Sequence, residues 1–484
     1  MARKPDRSRQ RPESSEGPNG REGETSVTLE GARRQKTAQA ELPLEARGEA
    51  SLGQRSGEAP RARSANGRPG NDRLMERVVE QGNVKAALKR VKQNRGSPGI
   101  DGMEVEQLPA YLNEQWSALR EQLLAGSYQP SPVRQQRIPK SGGGERLLGI
   151  PTALDRFIQQ AILQVLQPMI DPSFSEHSYG FRPGRSAHQA VRQAQQHLQQ
   201  GRRWVVDVDL EKFFDRVHHD VLMGRMEKRI GDRRLLGLIR RYLEAGILVN
   251  GVVMERHEGT PQGGPLSPLL ANVLLDQVDK ELEKRELAFV RYADDCNVYV
   301  RSKRAAQRAM QTLRELYGRL RLRINESKSA VARPWDRKFL GYSFWVAKGR
   351  VVKPRVAHQA LEAMKDRVRN ITARSGGRSM SAVTAELRSY LVGWKQYFRL
   401  AETAYIFREL DKWVRRRLRA LQLSQWKRGT TAFRELTRRG VPEPVALAAA
   451  RYTRHWWHVA AHPALAMALP TSYYDAIGIP RLAS

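Results

Sequence analysis

Between Trp204 and Asp215 the chain reads WVVDVDLEKFFD, with Val206, Val208 and Leu210 alternating with Asp207 and Asp209. A period of two sends successive side chains to opposite faces, so the segment predicts a strand with one apolar and one acidic face. LAFVRYADDCNVYV (Leu287 to Val300) predicts a β-hairpin: two runs of strand formers joined by a tight turn carrying Asp294 and Asp295. Strand-like and helical periods alternate to about residue 345, which predicts an α+β core.

Beyond residue 355 the period lengthens. Leu361, Met364, Val368 and Ile371 fall on one helical face, and Val383, Leu387, Leu391, Trp394 and Phe398 on a second. Leu410, Val414, Leu418 and Leu421 make a third stripe, with Arg415, Arg416, Arg417 and Arg419 around it. Those arginines suit either a solvated face or a phosphate-binding surface, and three basic helices in succession favour the second. Residues 1–72 lack Phe, Tyr and Trp and are crowded with Arg, Glu, Gly, Ser and Pro, so they are expected to form a disordered basic and polar arm. Glu13, Glu16, Glu22 and Glu24 argue against an organellar transit peptide there.

Charge narrows the function classes. The 484 residues hold 84 Lys and Arg against 51 Asp and Glu, a formal charge of +33. So large an excess repels itself and calls for a polyanionic partner, nucleic acid first. No long uncharged apolar run exists, so no membrane partner is expected. The single cysteine, Cys296, excludes a disulfide framework and a cysteine-clustered zinc site, in keeping with a reducing cytoplasm.

The acidic pairs then need a counterion. If Asp209 lies on a strand beside the hairpin, three carboxylates converge, and each like-charged pair at ~4 Å costs on the order of 4 kcal/mol. Hard divalent cations with oxygen ligands offset such repulsion, and two Mg²⁺ ions serve an in-line phosphoryl displacement. RIPKSGGGERLLGIPT (Arg137 to Thr152) adds a glycine-rich turn flanked by Lys140 and Arg146, two cations suited to a triphosphate.

With these segments in hand, the chain resembles the group II intron-encoded reverse transcriptase/maturases. YADD (Tyr292 to Asp295) resembles their palm hairpin and DLEKFFD (Asp209 to Asp215) their first carboxylate motif, which makes Asp209, Asp294 and Asp295 the implied catalytic and metal-holding residues, with Asp207 as the lesser candidate. By the same resemblance Phe214 lies against the ribose and implies a preference for deoxynucleotides; its other reading is a core aromatic. GTPQGGPLSPLLANVLLDQVD (Gly259 to Asp279) places Gln262 against the incoming nucleotide and template base, ahead of a helix with Leu270, Val273, Leu274 and Val278 inward. INESKS (Ile324 to Ser329) brings Lys328 to the nucleotide, or leaves it an exposed lysine. LDRFIQQAIL (Leu154 to Leu163) and SYGFRPGRSAHQAV (Ser178 to Val191) follow in family order, with Arg182 and Arg185 suited to template phosphates or to capping a loop. KFLGYSF (Lys338 to Phe344) is similar to the hairpin that steadies the primer end.

The implied architecture is a right-handed polymerase: fingers and palm over 73–350 with an antiparallel palm sheet, then a helical thumb or maturase domain over 351–428 and a short nucleic-acid-binding tail over 429–484. LVGWKQYF and LDKWVRRRLR resemble the part that grips intron RNA, with Trp394, Tyr397 and Trp413 either core residues or base-stacking platforms, and Arg415, Arg416 and Arg417 as candidate RNA contacts. The ending resembles that of the compact class C members, and one cysteine cannot build the cysteine- and histidine-rich endonuclease of longer relatives. The implied function is RNA-templated DNA synthesis with Mg²⁺ from deoxynucleoside triphosphates on a DNA primer, together with intron splicing, in bacterial cytoplasm beside the nucleoid. The alternatives are a splicing cofactor with a relic polymerase site, or a reverse transcriptase of the retron or defence kind.

Overall fold

The computed structural model describes residues 73–139, 145–249, 252–374 and 376–483; the expected N-terminal arm and Lys140 lie outside them. Three sheets appear among the described residues. β1 (Val133–Pro139) and β2 (Glu145–Ile150) pair antiparallel. The second sheet contains β3 (Trp204–Val208), while β4 (Ile247–Val249) and β5 (Val252–Met254) extend the first in the order β2-β1-β4-β5. β6 (Ala288–Tyr292), β7 (Asp295–Val300) and β8 (Ala330–Ala332) complete the second in the order β6-β7-β3-β8, antiparallel throughout. That is the expected palm sheet. β9 (Tyr342–Val346) and β10 (Val352–Val356) form a separate antiparallel pair, which straddles the boundary expected at residue 350.

Both faces of the palm sheet are covered. Val206, Val208, Phe289, Cys296 and Val298 face a core shared with the helices Ala153–Ile170, Ser267–Lys284 and Lys303–Arg319. Val205, Val290 and Tyr299 face the other way, against the helix Ala187–Gln199. Alternation alone gives Val205 to the polar face of its strand; it is buried because this helix covers that end. Val205 pairs with Tyr299 and Asp207 with Asn297, so the face runs from apolar to acidic along the strands.

The helical stripes of the C-terminal third fold as their period predicts. The helices His358–Ile371, Met380–Tyr397 and Ala404–Trp426 bury Met364, Val368, Leu387, Leu391, Val414 and Leu418. Trp394 and Tyr397 are core residues, and Tyr397 ties this region to the loop before β9 through its hydroxyl, which donates to the Leu340 carbonyl at 2.8 Å. The segment expected as a short tail is itself helical and shares this core: Leu436, Leu465, Tyr474 and Leu482 are buried in it, and the Leu482 amide donates to Asp411 at 2.9 Å.

Candidate active site

The palm register brings the acids together. β3 and β7 pair as far as Val208 opposite Cys296, and one step further along the same register sets Asp209 opposite Asp295. Residues directly opposite in an antiparallel pair hold their Cβ atoms about 4.5–5.5 Å apart, and a step of two keeps a side chain on the same face, so Asp207 joins them. Tyr292 pairs with Asp295, so the two-residue turn is Ala293–Asp294, and Asp295 opens β7 rather than sharing the turn.

The turn is held from beneath. Ala293 adopts φ 58, the left-handed region that costs a non-glycine residue energy. The Arg291 guanidinium, fully buried, donates to the Ala293 carbonyl at 2.8 Å, to Asn272 Oδ1 at 2.9 Å and to both oxygens of buried Asp279 at 2.6–3.0 Å. Asn272 in turn donates to the Gly180 carbonyl at 2.9 Å. A Cβ on Gly180 would lie 2.2 Å from the Ala293 nitrogen, so only glycine lets that loop back onto the turn. Arg291, Asn272 and Asp279 escaped the sequence reading as site residues. An arginine at an inward strand position is the signal that could have found them, since a buried arginine requires a buried acid.

Asp209 is fixed through its backbone. Its amide donates to Ser329 Oγ at 3.0 Å, and its carbonyl accepts from the Asn325 amide at 2.8 Å. The INESKS segment therefore clamps the strand end, and it sets Lys328 Nζ 3.6 Å from Asp209 Oδ2. Asp207 has its own cation, accepting from Arg337 Nε at 2.7 Å. Neither Asp294 nor Asp295 has an ion-pair partner among the described residues.

Electrostatics reflect this crowding. Burial, then the charges of Asp294, Asp207 and Asp209, push the Asp295 carboxyl up to about 7. Burial and the Asp209 charge also raise Asp294, with Arg146 on the exposed side of β2 pulling it back. Asp295 is nonetheless exposed to solvent, and so within reach of an ion. Among the described residues no three His, Cys, Asp or Glu side chains close around one point, so the carboxylates form an open cluster. Its hard oxygen donors, held close and short of counter-cations, are the donor set that a divalent ion takes.

The nucleotide segments are stitched to one another. The Thr260 amide donates to the Phe214 carbonyl at 2.7 Å, and the Gly149 amide to the Gln262 carbonyl at 3.0 Å. Gly263 has φ 138, and a Cβ there would come within 2.7 Å of the Gly149 carbonyl oxygen. Phe214 is half-buried, edge-on to Phe213 with ring centroids 5.0 Å apart, which leaves both of its sequence readings open.

Arg182 departs from the template-contact expectation. Its guanidinium is buried and holds Asp171 and the carbonyls of Ser175 and Ser178, so it caps a loop from inside. Arg185 pairs with Glu176 near the surface and lies over the Tyr179 ring. Arg416 donates to the Trp457 carbonyl, and Arg417 to Thr372 Oγ1 and the Arg369 carbonyl, so both are engaged in helix packing; Arg415 is half-buried.

Comparison with known proteins accords with this geometry. Residues 138–344 match the family model for reverse transcriptase (RNA-dependent DNA polymerase), and residues 361–440 that for the group II intron, maturase-specific domain. Protein YkfC of Escherichia coli K12 is 34% identical over 303 residues, which are 54% of this chain and 79% of that one. The group II intron-encoded protein LtrA of Lactococcus lactis subsp. cremoris is 35% identical over 206 residues, 42% of this chain and 34% of its own. The putative COX1/OXI3 intron 2 protein of Saccharomyces cerevisiae is 30% identical over 223 residues, 44% of this chain and 25% of its own. This chain thus spans about a third or less of the length of the last two. No helix among the described residues is long and apolar enough to cross a membrane.

Proposed function

The chain belongs to the group II intron reverse transcriptase/maturase family, and from that premise we propose that it copies RNA into DNA at the acidic end of the palm sheet and grips its intron RNA with the helical region. The observation that supports the first half is the β3–β7 register, which ends with Val208 opposite Cys296, one residue short of Asp209 and Asp295, beside the Ala293–Asp294 turn. Asp209, Asp294 and Asp295 would hold two Mg²⁺ ions, which supply charge stabilisation to the attacking primer oxygen and to the leaving pyrophosphate. Arg146, whose charge reaches Asp294, binds the triphosphate, with Lys140 as its expected companion across the glycine-rich turn. Lys328 balances Asp209 and is placed to turn to the nucleotide phosphates once an ion takes over that carboxylate. Gln262 and Phe214, joined through Gly149 and Thr260 to the surrounding elements, orient the base and the ribose. Asp207 is left to Arg337 and is not a metal ligand in this reading.

Extension of oligo(dT) on poly(rA) with dTTP and Mg²⁺ tests the polymerase half: the wild type extends, and Asp294→Ala does not while keeping its RNA affinity. A wild-type chain that adds no nucleotide sinks this half. The maturase half rests on the matched domain and on the basic helical surface. Its test is intron splicing at low Mg²⁺, which the protein accelerates; an unchanged rate removes it.

A further inference from the structure

Three arginines of the helical region converge on a cavity of about 490 Å³ bounded by Arg369, Ala373, Arg374 and Arg417. Arg369 comes from the helix His358–Ile371, Arg374 from the loop after it and Arg417 from the helix Ala404–Trp426. Asp366, which pairs with Arg369 Nη1, is the one carboxylate bound to any of them among the described residues. Burial above all, and then the charges of Arg369 and Arg374, hold the Arg417 guanidinium below its usual range.

The three are also oriented. The Arg374 guanidinium lies over the Trp456 ring 3.1 Å from its centroid, Arg369 over Trp413 at 5.8 Å, and Arg417 by Trp457 at 5.9 Å. Arg417 spends Nε and Nη2 on Thr372 and on the carbonyls that end the preceding helix, so Nη1 remains for a ligand. Arg374 is exposed, and among the described residues its guanidinium has no hydrogen-bond or ion-pair partner. Guanidinium forks match phosphate oxygens two at a time, and stacking on an aromatic face fixes the fork before the ligand arrives. The site is open rather than enclosed, as a surface that takes one phosphate of a continuing strand has to be.

We infer that Arg369, Arg374 and Arg417 form a phosphodiester-binding pocket that seats one backbone phosphate of an RNA strand on the helical region. The inference rests on the proposed RNA-gripping role of this region and names the place where the grip is applied. Of the three arginines expected from sequence, Arg415, Arg416 and Arg417, the pocket takes only Arg417, and it adds Arg369 and Arg374, which the helical pattern did not single out.

The test is binding of the full chain to a labelled intron-derived RNA across a salt series. Arg374→Glu weakens binding roughly tenfold and lowers the salt slope by about one, and Arg369→Glu combined with Arg374→Glu lowers it by about two. Arg374→Lys keeps the slope and loses less affinity, because the charge survives and the stacked fork does not. Affinity and slope within twofold of wild type in the double variant overturn the pocket, as does a loss seen with a DNA strand but not with RNA. Phenylglyoxal modification of the unaltered chain checks the same site without substitution: bound RNA protects Arg374, and unchanged reactivity counts against the assignment. The two readings separate. A chain that shows these losses yet leaves splicing unaided keeps the pocket and drops the intron role; one that aids splicing with the pocket variants binding normally does the reverse.

Discussion

The acidic end of the palm sheet and the arginine pocket of the helical region are both gatherings of like charge, and they are built in opposite ways. The carboxylates sit on short side chains whose positions are set by the backbone: the register that ends at Val208 opposite Cys296 brings Asp209 to the Asp295 end of β7, and Ser329, Asn325 and Arg291 fasten the chain on either side. The guanidiniums sit on long side chains from two helices and a loop and lie against tryptophan faces, with only Arg417 also tied to backbone carbonyls. Chemistry at phosphorus tolerates little misplacement of its groups, so it calls for rigid strands and locked turns. Holding a strand by its phosphates tolerates more. At the palm, strain at Ala293 and the buried Arg291–Asp279 pair go into fixing that turn.

The largest expected effect is the separation of the two regions by Asp294→Ala. Extension activity drops by at least about 10²–10³-fold, while RNA affinity and its salt slope stay at wild-type values. A variant that loses RNA affinity to the same extent shows that the regions are not independent. Next comes the support under the turn. Arg291→Met leaves Asp279 buried without its partner, and removing one member of a buried pair costs about 3–5 kcal/mol, measured by urea unfolding. Adding Asp279→Leu to Arg291→Met should recover much of that stability without recovering extension, because the Ala293 carbonyl and Asn272 remain unheld. Recovery of both would mean that the network only stabilises the fold.

Much of this was legible in sequence because it is periodic. The alternation of Val206, Val208 and Leu210 gave the palm strand, and the stripes at Met364, Leu387 and Val414 gave the helices of the last third. YADD and DLEKFFD indicated carboxylates that needed to meet, and the sheet order makes them neighbours. The rest depended on contacts between distant segments. Nothing local distinguishes Arg182, buried on Asp171, from Arg185, which lies three residues further along the same loop and pairs with Glu176 near the surface. The partners of Arg291 lie 12 and 19 residues earlier, on one face of a helix whose period speaks only of its leucines. Arg374 follows its helix in a loop, where no period reaches, and β10 is too short and too broken by Lys353, Pro354 and Arg355 to read as a strand.

A smaller effect concerns selectivity at the palm alone. If Phe214 abuts the ribose, Phe214→Val lowers the ratio of kcat/KM for dTTP over UTP by roughly tenfold or more, a difference of the size one pocket contact confers. If it is only a core aromatic, the variant loses stability and keeps its ratio. The arginine pocket touches no sugar specificity of this reaction, so its variants leave the ratio as it is.

A pH dependence tests whether the two regions share a core. His197 is buried beside His177 and against Tyr299, a member of the hydrophobic cluster that joins the back of the palm sheet to the helical region. Burial, then the charges of Arg202 and His177, push it down to about 4. The unfolded chain takes up that proton near pH 6.5 and the native chain only near 4, so this histidine removes native stability as pH falls through that window, with a slope of about 1.4 kcal/mol per pH unit. The Asp295 carboxyl acts in the other direction: raised to about 7, it is protonated in the native chain before it is in the unfolded one, so acidification relieves the palm. Comparing wild type with His197→Phe, without divalent ions, isolates the first term, since the ring packing is kept and the titration removed. Between pH 6.5 and 4 the variant should lose less stability than wild type in both the palm and the helical transitions. A gain confined to one transition would show that the cluster around His197 does not couple them, and that the palm and the RNA-gripping region unfold as separate units.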